Sequence, residues 1–192
     1  MMWDLPTEIQ IGEQIYHITK KCDYRVVLDV IIALNDEDMT TEEKVICSLL
    51  LFYEELTREN IRVCPHLEEL QKEMFSIING GEEEEEQTQE NKPKLMDWEH
   101  DFSILAPQIN KVLKVEIRNP NTYFHWFTVL GGYYGVDPEN NIWANVVGIR
   151  FKLAKGKKLE KWEQEFYREH RKMVELPRKL TAEEEEFLNS DW

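Results

Sequence analysis

The chain has few of the residues that mark secreted proteins, membrane proteins or nucleotide-binding enzymes. Its 192 residues include three cysteines and eight glycines, and no apolar run approaches the ~20 residues that cross a bilayer. Three widely spaced cysteines favour reduced thiols over a disulfide framework. The paired glycines lack the further glycines and the lysine of a phosphate-binding loop. Because the start lacks a basic, apolar leader, we expect a protein of the cytoplasm.

Basic residues are also scarce, with 23 Lys and Arg against 38 Asp and Glu and a net charge of -15. This balance argues against a general nucleic-acid binder, because phosphate binding depends on clustered Lys and Arg. The charge is unevenly spread, since residues 150–179 hold 11 Lys and Arg against five Asp and Glu. This basic stretch is either a solvated helix with alternating charges or a surface for oriented docking or self-association.

Hydrophobic periodicity predicts a mostly α fold of about seven helices with a short N-terminal β-hairpin. Apolar and polar residues alternate over residues 8–18 around Gly12, which is typical of a hairpin. Helical spacing follows over residues 23–34, 40–56, 65–79, 97–112, 122–134, 137–150 and 158–174.

Local signals predict where several helices begin. Thr40 followed by Glu43 is the pattern of a capping box. Asp97 is a candidate N-cap, and Asp137 before a proline is another. Pro107 falls inside a helical pattern and predicts a kink or a split there.

We predict a bipartite bundle whose two halves share one core. Residues 1–80 form the hairpin and a three-helix half, and residues 95–176 form a second helical half. Residues 81–94 between them are predicted to be an acidic flexible linker, because they offer almost nothing apolar to bury. The acidic tail, residues 177–192, is either disordered or a short helix whose apolar edge adds to a partner groove.

No group of residues predicts catalysis, a cofactor or a metal. Cys64 and His66 are the nearest thing to a metal pair, but a second pair at zinc-site spacing is missing. His125 has no serine or cysteine nucleophile placed with it by a motif, so we interpret it as a hydrogen-bonded packing residue. Asp97 and Asp101 suit the positive end of a helix dipole. The pattern therefore indicates an acidic, helical, non-enzymatic interaction protein.

The most unusual segment is residues 123–127, Tyr-Phe-His-Trp-Phe, which opens a helix that is apolar nearly all the way round. Such a helix must be enclosed by its own domain or by a partner chain. Large rings bury much area with few rotatable bonds, so an aromatic groove is a common way to receive an amphipathic helix.

Two blocks of sequence resemble the bacteriophage proteins of the Gp-fifteen family. The first is the hairpin with residues 23–28 and 34–44. The second is residues 97–106, then Phe-His-Trp-Phe at 124–127, then Ile-Arg-Phe-Lys at 149–152. The resemblance spans residues 7–176. Phe127 stands where the family usually has a tryptophan, and the tail beyond Leu176 has no counterpart.

The resemblance implies a tail assembly chaperone in the cytoplasm of the bacterial host. Such a protein would bind the tape-measure protein, or other phage tail proteins, without chemistry, cofactor, direct nucleic-acid contact or membrane. The alternatives are a structural tail or connector component of the virion, or an acidic DNA-mimic inhibitor of a host nuclease. The residues that we expect to bind the partner are aromatic, and they are Tyr123, Trp126, Phe127, Tyr133, Tyr134 and Trp143.

Overall fold

A computed structural model describes residues 4–81 and 93–177, and within these ranges the chain forms one hairpin and eight α-helices. The strands are β1 (Glu8–Ile11) and β2 (Gln14–His17). The helices are α1 (Tyr24–Asn35), α2 (Thr41–Phe52), α3 (Leu67–Ile78), α4 (Trp98–Leu113), α5 (Trp126–Tyr134), α6 (Ile142–Ala154), α7 (Lys161–Glu169) and α8 (Arg171–Val174). The mostly α prediction is confirmed. The predictions for most of the acidic linker and nearly all of the tail fall outside the described residues.

The hairpin forms where the alternating pattern predicts it. Strands β1 and β2 pair antiparallel, with Ile9 opposite Tyr16. Gly12 turns the chain with φ +59°, in the left-handed region that glycine enters without steric cost. Tyr16 is buried, so one face of the hairpin packs on the core.

Two predicted helix starts are confirmed by their capping contacts. The Thr40 hydroxyl accepts from the Glu43 N–H, and the Glu43 carboxylate accepts from the Thr40 N–H. Asp97 caps α4 by accepting from the His100 N–H. Helix α2 ends at Phe52, short of the predicted Leu56, because Tyr53 leaves the helix and pairs with Ile18.

Two other predicted starts are wrong. Helix α5 begins at Trp126 instead of Thr122, since the residues before it run extended. Helix α6 is capped by Asn141, whose side chain accepts from the Ala144 N–H. Asp137 instead accepts from the amides of the two residues that follow Pro138. Its carboxylate therefore closes a turn in the loop and does not open a helix.

Of the two alternatives predicted at Pro107, a kink or a split, the split is wrong, and so is the single last helix. Helix α4 continues past Pro107 without being split. The helix predicted over residues 158–174 is divided, because His170 leaves helical geometry with φ -119° and ψ 32°. Helix α7 begins after Glu160, which forms a reciprocal capping box with Glu163.

One hydrophobic core runs through both halves of the described chain. It takes in Tyr16 and Val27 from the first half and Ile109, Val146 and Val174 from the second. Within residues 4–81 and 93–177, no helix combines the length and the apolar character needed to span a bilayer.

Candidate partner-binding surface

The start of α1 is tied to the loop that follows α4. The Asp23 carboxylate accepts from the Arg25 backbone N–H and from the Arg25 guanidinium. The same guanidinium donates to the backbone carbonyls of Ile117, Asn119 and Thr122 at 3.0, 2.8 and 3.2 Å. A planar fork of N–H groups suits several acceptors at once. One side chain thus holds a loop more than 90 residues away.

Next to this arginine, the backbones of the two halves pair directly. The Trp126 N–H donates to the Cys22 carbonyl at 2.9 Å, and the Tyr24 N–H donates to the Phe124 carbonyl at 2.9 Å. Residues 20–22 reach this position in left-handed geometry, with φ of 49°, 55° and 61°. That geometry costs non-glycine residues roughly 1–2 kcal/mol each, so the surrounding contacts must hold it in place.

His125 is a packing residue, as the sequence predicts. It is 1% exposed. Its Nε2 lies 2.9 Å from the Pro6 carbonyl, and its Nδ1 accepts from the Phe127 N–H at 3.0 Å. These contacts require the neutral tautomer with the proton on Nε2. Burial lowers the pKa of the imidazole. The contact between Nδ1 and the Phe127 N–H makes His125 the N-cap of α5. Because both ring nitrogens are hydrogen-bonded, neither is free to act as a base.

Trp126 belongs to the core. Its side chain is 1% exposed, and its indole N–H donates to the Ile78 carbonyl at 3.0 Å. Ile78 is the last residue of α3, where carbonyls lack partners within the helix. Trp98 packs edge-on against the Trp126 ring at 5.5 Å between centroids. In this conformation Trp126 joins α3, α4 and α5 and does not present its ring to a partner.

A buried ion pair joins α4 to α6. Both Arg150 terminal nitrogens donate to the Asp101 carboxylate at 2.7 Å. The remaining guanidinium N–H groups reach the backbone carbonyls of Leu95, Met173 and Val174 at 2.7–2.9 Å. Asp101 is fully buried and Arg150 is 6% exposed. Full pairing is what allows such charges to be buried. Asp101 therefore does more than face the helix dipole, the only role that the sequence indicates.

The polar residues that carry the family resemblance thus stabilise the fold by joining its segments. Asp23 and Arg25 come from the first block, and Asp101, His125 and Arg150 come from the second. Each makes hydrogen bonds that fix one segment against another. Their arrangement holds a fold together and contains no nucleophile placed beside a base.

The six aromatic residues that we expect to bind a partner occupy three environments. Trp126 and Trp143 are buried, Phe127 and Tyr133 are half-buried, and Tyr123 and Tyr134 are exposed. Tyr123 lies apart in the loop before α5 and donates its hydroxyl to the Lys21 carbonyl. Tyr133, Tyr134 and Trp143 line a common groove.

This groove lies between α5 and α6, has a volume of about 540 Å³, and is called the aromatic groove below. Tyr134 stands at its edge, 69% exposed, with its ring 5.6 Å from that of Tyr133. Val147 and Phe151 follow Trp143 at intervals of four residues and extend the lining along α6. The sequence reasoning missed these two, although their spacing places them on the same helix face as Trp143.

A second groove lies between α2 and α3, has a volume of about 710 Å³, and is called the acidic groove below. Its floor is apolar and consists of Val45, Ile46, Leu49, Ile61 and Leu67. Polar residues at the starts of α2 and α3 form the rim, together with Arg62. Sequence periodicity places Val45 and Leu49 on the inner face of α2 and does not reveal that this face is partly open.

The Cys64 and His66 pair meets a third residue. The Tyr16 hydroxyl lies 3.0 Å from the His66 Nδ1 and 3.6 Å from the Cys64 sulfur. Burial, followed by the hydrogen bond to the thiol, raises the pKa of Tyr16 to about 12. Across the part of the chain that the structure describes, no three His, Cys, Asp or Glu side chains are grouped to hold a metal ion. The three residues anchor β2 to the start of α3.

Comparison with known proteins connects this geometry to one family. A sequence profile described as bacteriophage Gp15 protein matches residues 2–176. Searches of curated proteins and of solved structures found no match. The match covers both blocks of the resemblance and both grooves. The chain belongs to the bacteriophage Gp15 protein family.

Proposed function

We propose that this protein is a non-catalytic phage tail assembly chaperone that binds amphipathic helices of the tape-measure protein. Family membership supports a phage structural or assembly protein. The chaperone role and the partner are our proposal. The observation that carries it is the aromatic groove, an apolar surface left open beside a closed core.

The lining of the aromatic groove suits the apolar face of a helix. Tyr133, Tyr134 and Phe151 offer large rings that lose little conformational freedom on binding. Trp143 and Val147 form the α6 side of the groove. A helix placed here would be held at positions spaced three and four residues apart, which is how amphipathic helices bind grooves. Tape-measure chains need such cover for their apolar faces until the tail tube forms around them.

Three of the buried polar side chains are engaged in contacts that hold the fold together. Arg150 and Asp101 satisfy each other, and His125 has both nitrogens engaged. A general base must reach the proton that it removes. We therefore expect binding without chemical turnover.

The test is co-expression with the tape-measure protein encoded in the same phage locus. The fraction of tape-measure protein that stays soluble and co-purifies would be measured for the wild type and for Tyr134→Ser with Phe151→Ser. Both side chains are exposed, so these substitutions should leave folding intact. We expect the wild type to keep the tape-measure protein soluble and the double variant to lose most of that effect.

Val63→Ser is the matched control, because Val63 is 78% exposed and lies outside the aromatic groove. It should behave as the wild type does. Failure of the wild type to solubilise or retain the tape-measure protein would exclude the chaperone. Detection of the chain in purified virions at a fixed copy number would then favour a structural tail component.

A further inference from the structure

A group of four lysines lies where α6 turns into α7, and one of them, Lys157, has its ammonium 5.2 Å from the centre of the Phe151 ring. Lys155, Lys157, Lys158 and Lys161 are exposed, and none forms a salt bridge within the described residues. Trp162 follows Lys161 in the first turn of α7 and is 47% exposed, and its indole N–H donates to Glu160. We call these five residues the basic corner. Four lysines within eight residues of a large exposed ring give this segment the positive charge and apolar area that suit an acidic, apolar partner.

The acidic groove has the complementary character. Its apolar floor is open, and Glu42 and Glu68 stand exposed on its rim without a salt bridge among the described residues. They lie in the first turns of α2 and α3, each beside a further glutamate, Glu43 or Glu69. Among residues 4–81 and 93–177, Arg62 is the one cation that lines this groove. The rim is therefore net negative, and the floor is unoccupied by any described side chain.

The net charges of the two described halves have the same signs as the two surfaces that they contain. Residues 4–81, which contain the acidic groove, hold seven Lys and Arg against 16 Asp and Glu, a net charge of -9. Residues 93–177, which contain the basic corner, hold 13 Lys and Arg against 11 Asp and Glu, a net charge of +2. Although the whole chain carries -15, the two described halves have opposite signs, so the contact with the least repulsion places the first half of one copy against the second half of the other.

We infer that copies of this chain bind head to tail, with the basic corner of one copy in the acidic groove of the next. Trp162 enters the apolar floor between α2 and α3, and the lysines face Glu42 and Glu68 on the rim. A volume of about 710 Å³ accommodates an indole ring together with the stems of neighbouring lysines. Burying a tryptophan in such a pocket is typical of an interface anchor.

The two surfaces belong to different helices, so an open assembly of bound copies still offers one free groove at one end and one free corner at the other. An interface of this heterologous kind produces rings when its rotation closes and open filaments when it does not. It differs from a two-fold dimer, in which the same patch meets itself. Because exposed charges drive the encounter, association should weaken as ionic strength rises.

Sedimentation velocity over a range of protein concentrations, at low salt and at high salt, tests this inference. The groove variant is Glu42→Lys with Glu68→Lys, and the corner variant is Lys157→Glu with Lys158→Glu. We expect the wild type to associate beyond a dimer at low salt. Each variant should weaken association at least about tenfold, because like charges then meet across the interface. Trp162→Ala should weaken it without changing any charge.

Mixing the two variants separates a head-to-tail interface from other arrangements. In the mixture, the unchanged corner of the groove variant faces the unchanged groove of the corner variant, and the reversed corner likewise faces the reversed groove. Because opposite charges then meet at both contacts, the mixture should regain association beyond a dimer. Glu13→Lys with Glu139→Lys is the control, since it makes the same charge change as the groove variant at exposed sites elsewhere. It should associate as the wild type does. Circular dichroism would verify that every variant is folded.

Three results would overturn the inference. A wild type that stays monomeric to about 100 µM at low salt would show that no such interface forms. Loss of association in the corner variant but not in the groove variant would mean that the lysines bind another acidic segment. Failure of the mixed variants to regain association would mean that the interface uses other surfaces. None of these results depends on the tape-measure protein, so the proposed chaperone role is tested separately.

Discussion

Arg150 and Arg25 perform the same task at two depths. Each guanidinium binds one aspartate and three backbone carbonyls from distant segments. The Arg150 side chain is 5% exposed and its aspartate is fully buried, whereas the Arg25 side chain is 34% exposed. Water can replace lost partners at Arg25 but not at Arg150. The comparison shows that two arginines with similar hydrogen-bond partners contribute differently to the free energy of unfolding when their burial differs.

The largest expected effect comes from removing the buried cation. Arg150→Met leaves the Asp101 carboxylate buried without its partner, which should cost about 3–5 kcal/mol of the free energy of unfolding. Urea unfolding would measure this loss. Adding Asp101→Leu should recover much of it, because two apolar side chains of similar volume replace the ion pair. If the single variant lost less than about 1 kcal/mol, the buried pair would not carry the weight assigned to it.

Adjacent glycines in α5 extend the same contrast. A Cβ on Gly132 would lie 2.9 Å from Ile109 and 3.0 Å from Leu113, whereas one on Gly131 would meet nothing within 4 Å. Gly132→Ala should therefore cost about 1–3 kcal/mol by forcing α4 and α5 apart. Gly131→Ala should instead stabilise the protein by about 0.5–1 kcal/mol through helix propensity. Thermal unfolding of both variants checks this, and equal effects would contradict the close approach of the two helices.

Arg25→Lys tests the more open of the two arginines. A lysine keeps the charge but cannot reach Asp23 and three carbonyls with one planar fork. We expect a loss of about 1–2 kcal/mol in urea unfolding, smaller than at Arg150 because water solvates the freed carbonyls. Hydrogen exchange should also speed up in residues 117–122. If Arg25→Lys lowered the free energy of unfolding as much as Arg150→Met does, the expected dependence on burial would be wrong.

The smallest expected effect is the pH response of two histidines. Burial lowers the pKa of His125 in the folded state, so its stabilising contribution is present above about pH 6.5 and is lost as pH falls below that value. His17 is the opposite case, because its hydrogen bond to Glu55 raises its pKa. Its contribution is present below about pH 6.5 and is lost as pH rises through the raised pKa.

Free energies of unfolding at pH 5.5 and pH 7.5 would separate the two. His125→Asn keeps an N-cap acceptor without a titrating ring, so acidification should destabilise this variant less than it destabilises the wild type. His17→Gln should be destabilised by acidification more than the wild type is. Identical pH profiles for all three proteins would contradict the assignment of both groups.

Local features of the fold could be predicted from the sequence, while the contacts between the halves could not. The Thr40 and Glu43 capping box and the Asp97 cap depend on residues three apart, and both are confirmed. Asp137 and Asn141 are two capping residues four apart, and the sequence does not say which amides each one reaches. The pairing of Asp101 with Arg150 spans 49 residues, so no local pattern reveals it.

The candidate site could be predicted only in part, because local patterns show which aromatic residues are present but not which ones tertiary contacts bury. Aromatic residues on α5 were found from their density, and Tyr133 and Tyr134 line the aromatic groove. In the sequence, Trp126 looks as suited to partner binding as Tyr133 and Tyr134 are. In the structure its ring is buried, and its indole N–H donates to the Ile78 carbonyl at the end of α3, 48 residues away. Which rings stay exposed is decided by tertiary packing, which periodicity along one helix does not record.

The pairing of residues 22–24 with residues 124–126 means that the N-terminal half cannot complete its fold until much of the second half has been synthesised. While the first half leaves the ribosome, the Cys22 carbonyl and the Tyr24 N–H have no backbone partner, and the end of α3 lacks the Trp126 indole. At about 5–20 residues per second, the 45 residues that follow Gly81, up to and including Trp126, take several seconds to make. Throughout that interval the N-terminal half is an unfinished surface, and the nascent chain itself must supply the segment that completes it.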